Sequence, residues 1–225
     1  MIFKDKVVLI TGAGRGYGRE LAKAFAAQGA RLALNDISPG NLDTLVQEIE
    51  AMGVEAKAFV QDIAKKVPVQ GLVMKVEDDF GTIDILINHS AVEPNKPVLE
   101  IDEWDWQRTI MVNLSAAFLM TQSVGRVMQQ QGGGVIVNLV PLEGRDAESG
   151  KTAYVSSMMG LVGFTRQAAR ELGAHHVRIH AVGTGIAEMQ KAETEIPSGF
   201  NEAVLYLCDE ANARLNGQIV NINEK

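Results

Sequence analysis

The sequence predicts an α/β protein, a doubly wound parallel sheet of about seven strands with helices on both faces, in a single domain over residues 1–225. Three observations carry this prediction. Short and nearly continuous apolar runs recur along the chain, longer amphipathic stretches separate them, and 225 residues is a length that one domain can span. Strands of a sheet covered on both faces are apolar throughout, whereas the helices that cover them need only one apolar face.

The predicted strands are rich in Val, Ile, Leu and Ala, and they occupy 6–10, 31–35, 56–60, 84–88, 134–138, 177–181 and 218–222. Between the first three lie the amphipathic stretches 18–29 and 41–53, and each closes on a glycine that can end a helix. Because parallel strands end at one edge of the sheet, we expect a ligand at their carboxyl ends.

The composition excludes several classes of function. With 46% hydrophobic and 22% charged residues the chain resembles an ordinary globular protein, and its net charge of −7 disfavours nucleic acid and anionic membranes as partners. The single cysteine, Cys208, excludes an internal disulfide and fits a cytoplasmic location. No apolar run has the length of a membrane span, and the N-terminus leads directly into a strand rather than a signal peptide. The spacing of His175, His176 and His180 predicts no metal site.

A glycine-rich turn, "TGAGRGYG" at 11–18, follows the first strand and opens the first helix. Glycines let the backbone approach a pyrophosphate, and a helix N-terminus offers free N–H groups and a positive dipole. Tyr17 stands where the general G-x-G-x-x-G fingerprint has its third glycine, so the spacing is T-G-x-x-x-G-x-G. A plain tight turn needs fewer than these four glycines, which favours a dinucleotide site built on Gly12, Arg15, Gly16, Tyr17 and Gly18.

Asp36 ends the second strand. A carboxylate there accepts hydrogen bonds from an adenosine ribose and repels a 2′-phosphate, which favours NAD over NADP. The alternative is an ordinary turn aspartate in "NDISPGN", and Arg15 is a basic residue suited to a phosphate. Since a carboxylate at the ribose usually decides the preference, we predict NAD as the cofactor.

The motifs together resemble the short-chain dehydrogenase/reductase family over nearly the whole chain. The matching segments occur in order at 11–18, 61–63, 87–91, 103–114, 132–139, 153–157 and 216–222. The resemblance implies a Rossmann-like fold and hydride transfer between nicotinamide and a small-molecule carbonyl or alcohol. It also implies that Asp62 and Ile63 flank the adenine, that Asn88 stabilises the sheet edge near the cofactor, and that Ile37 and Ser90 complete the cofactor site.

The family's catalytic set is only half present. The resemblance implies that Tyr154 moves the proton and that Asn113 supports a relay water. Pro141 stands at the position of the family's serine, and Met158 stands at that of its lysine. Methionine has no charge and no donor, whereas a phenol with a pKa near 10 needs a nearby cation to ionise at neutral pH. Tyr154 is therefore either a catalytic acid or simply a packed residue at a helix start.

Three functions remain open on these residues. The first is an NAD-dependent oxidoreductase with impaired catalysis, and the second is a catalytically inactive nucleotide-binding scaffold or regulatory subunit. The third is an enzyme with rewired acid–base groups that uses Tyr154 and Asn113 with Lys151 or His89. For Lys151 we favour a solvated loop lysine, and for His89 a packed or solvated residue.

Two further departures from the family concern the substrate side. Thr184 replaces the family's proline after the sixth strand, and the short segment "KAETEIPSGF" at 191–200 predicts a shortened substrate lid near 190–200.

The helices expected at 104–131 and 153–172 are more apolar than one core face requires, with small residues and methionines at helical spacing. In the family such helices pair across a dimer axis, so we expect a homodimer or homotetramer through them. Trp104 and Trp106 are assigned to the start of the first of these helices.

Overall fold

The computed structural model describes residues 1–142, 149–185 and 196–222. Its seven strands form one parallel sheet in the order β3-β2-β1-β4-β5-β6-β7. The strands are β1 Val7–Thr11, β2 Arg31–Asp36, β3 Ala56–Val60, β4 Ile85–Asn88, β5 Gly134–Leu139, β6 Val177–Gly183 and β7 Ile219–Asn221. The doubly wound sheet predicted from the sequence is confirmed.

Seven α-helices connect the strands in the described parts of the chain. They are α1 Gly16–Ala27, α2 Pro39–Glu50, α3 Lys66–Phe80, α4 Glu103–Ile110, α5 Ala116–Gln131, α6 Thr152–Leu172 and α7 Phe200–Cys208. The first two start two residues earlier than predicted and end before Gly29 and Gly53. These glycines adopt left-handed φ values of 85° and 79° just beyond the helices, so they turn the chain after the last helical residues.

The helices cover both faces of the sheet. One core forms where α1, α2 and α7 pack on one face, and a second where α3, α5 and α6 pack on the other. The strand order reverses beside β1, which pairs with β2 on one side and with β4 on the other. The chain therefore leaves a crevice at the carboxyl ends of β1 and β4, where doubly wound sheets bind their ligands.

A π-helical turn, Met111–Ser115, joins α4 to α5. The sequence predicts an unbroken helix over 104–131, and the widened turn within it is not predicted. Asn113 is buried in this turn and its side chain bonds the backbone of Val92, which brings a neighbouring segment against the helix. Trp104 and Trp106 lie at the start of α4, as expected.

None of the helices in the described ranges is long and apolar enough to cross a membrane.

Candidate functional site

A cleft of about 1050 Å³ opens at the carboxyl ends of the central strands. Most residues that the sequence assigns to the cofactor line it, namely Gly12, Arg15, Gly16, Tyr17, Asp36, Ile37, Asp62, Ile63 and Ser90. Tyr154 and Met158 line it as well, whereas Gly18 and Asn88 lie behind its wall. The fold thus gathers residues from well-separated segments of the chain around one space.

The glycine-rich turn is held by close packing. Gly12 has a φ of 64°, in the left-handed region that favours glycine. A Cβ on Gly18 would lie 2.5 Å from the Gly12 oxygen and 2.7 Å from Nδ1 of His89, so no larger residue fits there without a backbone shift. Tyr17 is fully buried, and its ring centroid lies 4.2 Å from that of Phe200 on α7. The departure from the general fingerprint therefore anchors α1 against α7.

Asp36 is fixed at the end of β2 against this turn. Its Oδ2 accepts a hydrogen bond from the Gly14 N–H at 3.1 Å, and its Oδ1 accepts one from the Ser38 N–H at 3.1 Å. A Cβ on Gly14 would approach Oδ2 to 2.9 Å, so the glycine permits this contact. Each carboxylate oxygen keeps a second lone pair, and the group can still accept hydrogen bonds from a ribose.

The side of the cleft assigned to adenine combines polar and apolar groups. Asp62 is exposed and accepts a hydrogen bond from the Ala64 N–H at 2.9 Å, whereas Ile63 is buried. The exposed side chain of Ile37 borders the same space. Asn35 donates to the carbonyls of Phe59 and Gln61, which fixes the ends of β2 and β3 together. Backbone N–H groups, a carboxylate and apolar side chains are what an adenine dinucleotide needs, so these residues fit one.

Asn88 ties the sheet to α6. Its Nδ2 donates to Oδ1 of Asn138 at 2.8 Å, and Nδ2 of Asn138 donates to the hydroxyl of Thr165 at 2.8 Å. This buried chain of side chains joins β4, β5 and α6 beside the cleft. A role of Asn88 at the cofactor stays a prediction.

His89 lies behind the glycine-rich turn. Its Nδ1 is 2.9 Å from the carbonyl oxygen of Gly12, and because a carbonyl can only accept, Nδ1 carries the proton. Burial lowers the pKa of the imidazole and outweighs the hydrogen bond to Gly12, which raises it; the Arg15 guanidinium lowers this pKa further and Asp36 raises it, both by less. The ring is therefore neutral at physiological pH.

Tyr154 occupies the first turn of α6 and is only 5% exposed. Burial raises the pKa of its phenol, and the carboxylate of Glu93 raises it further. Met158, one turn along the same helix, is also buried and brings no charge to the phenol. At neutral pH Tyr154 is protonated, so it can donate a proton but offers no tyrosinate to accept one.

Asn113 acts as a clamp between two segments. Its Oδ1 accepts from the Val92 N–H at 2.8 Å, and its Nδ2 donates to the Val92 carbonyl at 2.9 Å and to Ser157 Oγ at 3.0 Å. The Ser157 hydroxyl in turn donates to the carbonyl of Tyr154 at 2.7 Å. Both amide hydrogens of Asn113 are engaged, so its side chain positions the residue-92 segment against α6.

The environment of Lys151 differs from the one predicted from the sequence. Lys151 is not a solvated loop lysine, because its side chain is 10% exposed and its Nζ lies 2.8 Å from Oε1 of Glu93. Gly150, with a φ of 97°, turns the chain back so that its carbonyl accepts from the Lys96 N–H at 3.1 Å. This turn brings Lys151 against the segment after β4. No sequence pattern pairs residues 93 and 151, so Glu93 was missed.

Pro141 and Thr184 are buried beyond the ends of β5 and β6. The N–H groups of Val140 and Leu142 donate to the carbonyls of Val182 and Thr184, at 3.0 and 2.8 Å. Pro141 lies between these two donors, so its missing N–H interrupts neither bond. Neither Pro141 nor Thr184 is among the described residues that line the cleft. Residues 190–195 of the shortened lid predicted near 190–200 lie outside the described residues.

Within the described ranges, no group of three or more His, Cys, Asp or Glu side chains is placed to hold a metal ion.

Comparisons with known proteins agree with this fold. A profile of the short chain dehydrogenase family matches residues 6–198. A 3-oxoacyl-[acyl-carrier-protein] reductase of Thermotoga maritima is 31% identical, and the match covers 99% of this chain and 98% of the relative. A solved short-chain type dehydrogenase/reductase from Mycobacterium marinum has a TM-score of 0.91 at 25% identity, covering 98% of this chain and 94% of that one. A 7α-hydroxysteroid dehydrogenase complexed with NADH and 7-oxo glycochenodeoxycholic acid has a TM-score of 0.89 at 26% identity, covering 98% and 93%. The chain therefore belongs to the short-chain dehydrogenase/reductase family.

Proposed function

We propose that this protein binds NAD(H) in the cleft and acts on a carbonyl/alcohol pair with impaired catalysis. The observation that carries the NAD preference is Asp36, whose carboxylate is fixed against Gly14 at the end of β2. Members of the family bind either NAD(H) or NADP(H), and a carboxylate at this place repels a 2′-phosphate. The 7α-hydroxysteroid dehydrogenase of similar fold carries NADH in its structure, which supports the same choice.

Calorimetric titration with NADH and NADPH tests the preference. NADH should bind at least about tenfold more tightly, equivalent to about 1.4 kcal/mol. Asp36→Asn should narrow this ratio because it removes the charge and retains the size. Asp43→Asn is the matched control, since Asp43 is an exposed carboxylate on α2 outside the cleft lining, and it should leave the ratio unchanged. Equal or reversed affinities in the wild type would contradict the assignment and favour Arg15 as a phosphate ligand.

The proposed impairment concerns the proton transfer, which the protein's own residues perform. The cofactor supplies the hydride, and Tyr154 is the residue placed to supply the proton. The buried phenol has no ammonium at residue 158 to favour its ionised form, and the carboxylate of Glu93 disfavours that form. We therefore expect slow NADH oxidation with small ketones at neutral pH.

A second candidate is a nucleotide-binding scaffold or regulatory subunit without turnover. This candidate is favoured because the two side chains that could replace the missing catalytic groups are already bonded. Lys151 is paired with Glu93, and His89 bonds Gly12. Tight NADH binding with no ketone turnover across a broad panel would support it. Robust turnover that disappears in Lys151→Ala would instead support the rewired enzyme.

Assembly into a homodimer or homotetramer is part of the same proposal. Phe118 on α5 and Met159 on α6 are each more than a third exposed, although both are large and apolar. Such an apolar surface is typical of an interface between subunits. Light scattering of the purified protein at several concentrations tests it, and a monomer throughout would contradict it.

A further inference from the structure

We propose that His89 is a positioning residue for the glycine-rich turn: its Nδ1–H holds the Gly12 carbonyl and so orders the turn before a diphosphate group binds. The role in binding rests on the proposed dinucleotide function, whereas the order of the turn can be measured without any ligand.

Three parts of the fold meet at the Gly12 carbonyl oxygen. The turn itself supplies the oxygen, the end of β4 supplies Nδ1 of His89 at 2.9 Å, and Gly18 of α1 packs closely against the same oxygen. A side chain on Gly18 would collide with both partners of this hydrogen bond. The contact is therefore closely packed on the side of α1, and on its other side Gly12 and His89 both line the cleft.

The peptide unit between Gly12 and Ala13 is held from both sides. A peptide is planar, so fixing its carbonyl also fixes the N–H of the next residue. That N–H, on Ala13, donates to the carbonyl of Asn35 at 3.0 Å. His89 on one side and Asn35 on the other thus set the direction of this plane. The next N–H, on Gly14, is directed to Asp36.

The segment that carries His89 is itself attached to β1. The hydroxyl oxygen of Thr11 accepts from the N–H groups of His89 and Ser90, at 3.1 and 3.4 Å. The His89 ring also makes an edge contact with Tyr17, with centroids 6.4 Å apart. The imidazole is therefore a fixed donor, and the turn is ordered by a rigid neighbour.

A glycine-rich turn that is already ordered in the free protein favours binding, because the ligand does not have to immobilise the turn. The N–H groups at the start of α1 are those suited to a diphosphate, and only Gly14 and Arg15 separate α1 from the peptide plane that His89 holds. Without the donor, the Gly12 carbonyl loses a hydrogen bond, and its peptide plane is held by the Asn35 carbonyl alone.

The test compares His89→Leu, His89→Asn and wild type. Leucine removes the donor and keeps the bulk, whereas asparagine keeps an N–H at the distance of Nδ1. Hydrogen exchange of the free protein should rise at least about tenfold in residues 11–18 of His89→Leu and stay within about threefold of wild type in His89→Asn. His175→Leu is the control, since His175 is exposed and its side chain bonds Gln129 at the surface, away from the glycine-rich turn.

Affinity provides the second readout. ADP and NADH should bind His89→Leu at least about tenfold more weakly, while adenosine, which has no diphosphate, should bind within about threefold of wild type. The proposal is overturned if His89→Leu matches wild type in exchange and ADP affinity, or if His89→Asn behaves like His89→Leu. A wild type that binds neither ADP nor NADH contradicts the proposed function, and the exchange experiment still decides the role of His89.

Discussion

Acidification should destabilise this protein through His180, a histidine in the middle of β6. The side chain is fully buried, its Nδ1 accepts from the Gln218 N–H at 3.4 Å, and its Nε2 has no partner among the described residues. Burial lowers the pKa of the imidazole from 6.5 to about 4, and the Arg178 guanidinium acts in the same direction. The folded protein therefore resists a proton that the unfolded chain accepts.

The direction of the pH effect on stability follows from the difference in the pKa of His180 between the folded and the unfolded protein. Above pH 6.5 the ring is neutral in both states, and its contribution to stability is fully present. As the pH falls from 6.5 towards 4, only the unfolded chain gains the proton, so the free energy of unfolding decreases. The difference between 6.5 and about 4 corresponds to about 3 kcal/mol in total, of which about 2 kcal/mol is lost by pH 5.

Urea unfolding at pH 7.5 and pH 5 measures the effect. His180→Asn retains an acceptor for the Gln218 N–H but does not titrate, so the other groups cancel when the two proteins are compared. The wild type should lose about 2 kcal/mol more than His180→Asn between these pH values. His175→Asn, at an exposed histidine, should behave like the wild type. A parallel loss in wild type and His180→Asn would refute the reasoning.

Three further predictions concern the cleft. ADP-ribose should bind within about threefold of NAD, because Met158 and Thr184 offer the nicotinamide riboside little, and a hundredfold gap by calorimetry would contradict this. Met158→Lys should raise NADH-dependent ketone reduction by about a hundredfold or more, because it places an ammonium beside the Tyr154 phenol, whereas Pro141→Ser should add little because Pro141 does not line the cleft; no gain in a folded Met158→Lys variant would contradict this. Gly14→Ala should narrow the NADH/NADPH affinity ratio, because its Cβ displaces Oδ2 of Asp36; an unchanged ratio would separate Asp36 from the selectivity.

The sheet could be predicted from the sequence because its signal is local. Strands buried on both faces appear as apolar runs, and all seven were predicted within a few residues. The end of β6 was placed too early because Val182 and Gly183 continue the pairing with β7, which depends on a distant partner. The glycine-rich turn and Asp36 could also be predicted, since each lies where a predicted strand ends.

The parts that the sequence did not predict depend on contacts between distant segments. The burial of Lys151 requires the turn at Gly150 and the carboxylate of Glu93, and neither forms a pattern with it. The π-helical turn carries Asn113, whose two bonds to Val92 join segments about twenty residues apart. The hydrogen bond from His89 to Gly12 joins the ends of two strands, and only the folded sheet brings them together.

The position of α4 gives the protein a built-in optical probe. The protein contains two tryptophans, Trp104 and Trp106, and both lie on α4. Trp104 borders the cleft and has the guanidinium of Arg108 5.2 Å above its ring. Reduced nicotinamide absorbs light in the range where tryptophan emits, so energy transfer reports occupancy without a label. Trp104→Phe and Trp106→Phe then separate the signal at the rim of the cleft from that of its neighbour on the helix.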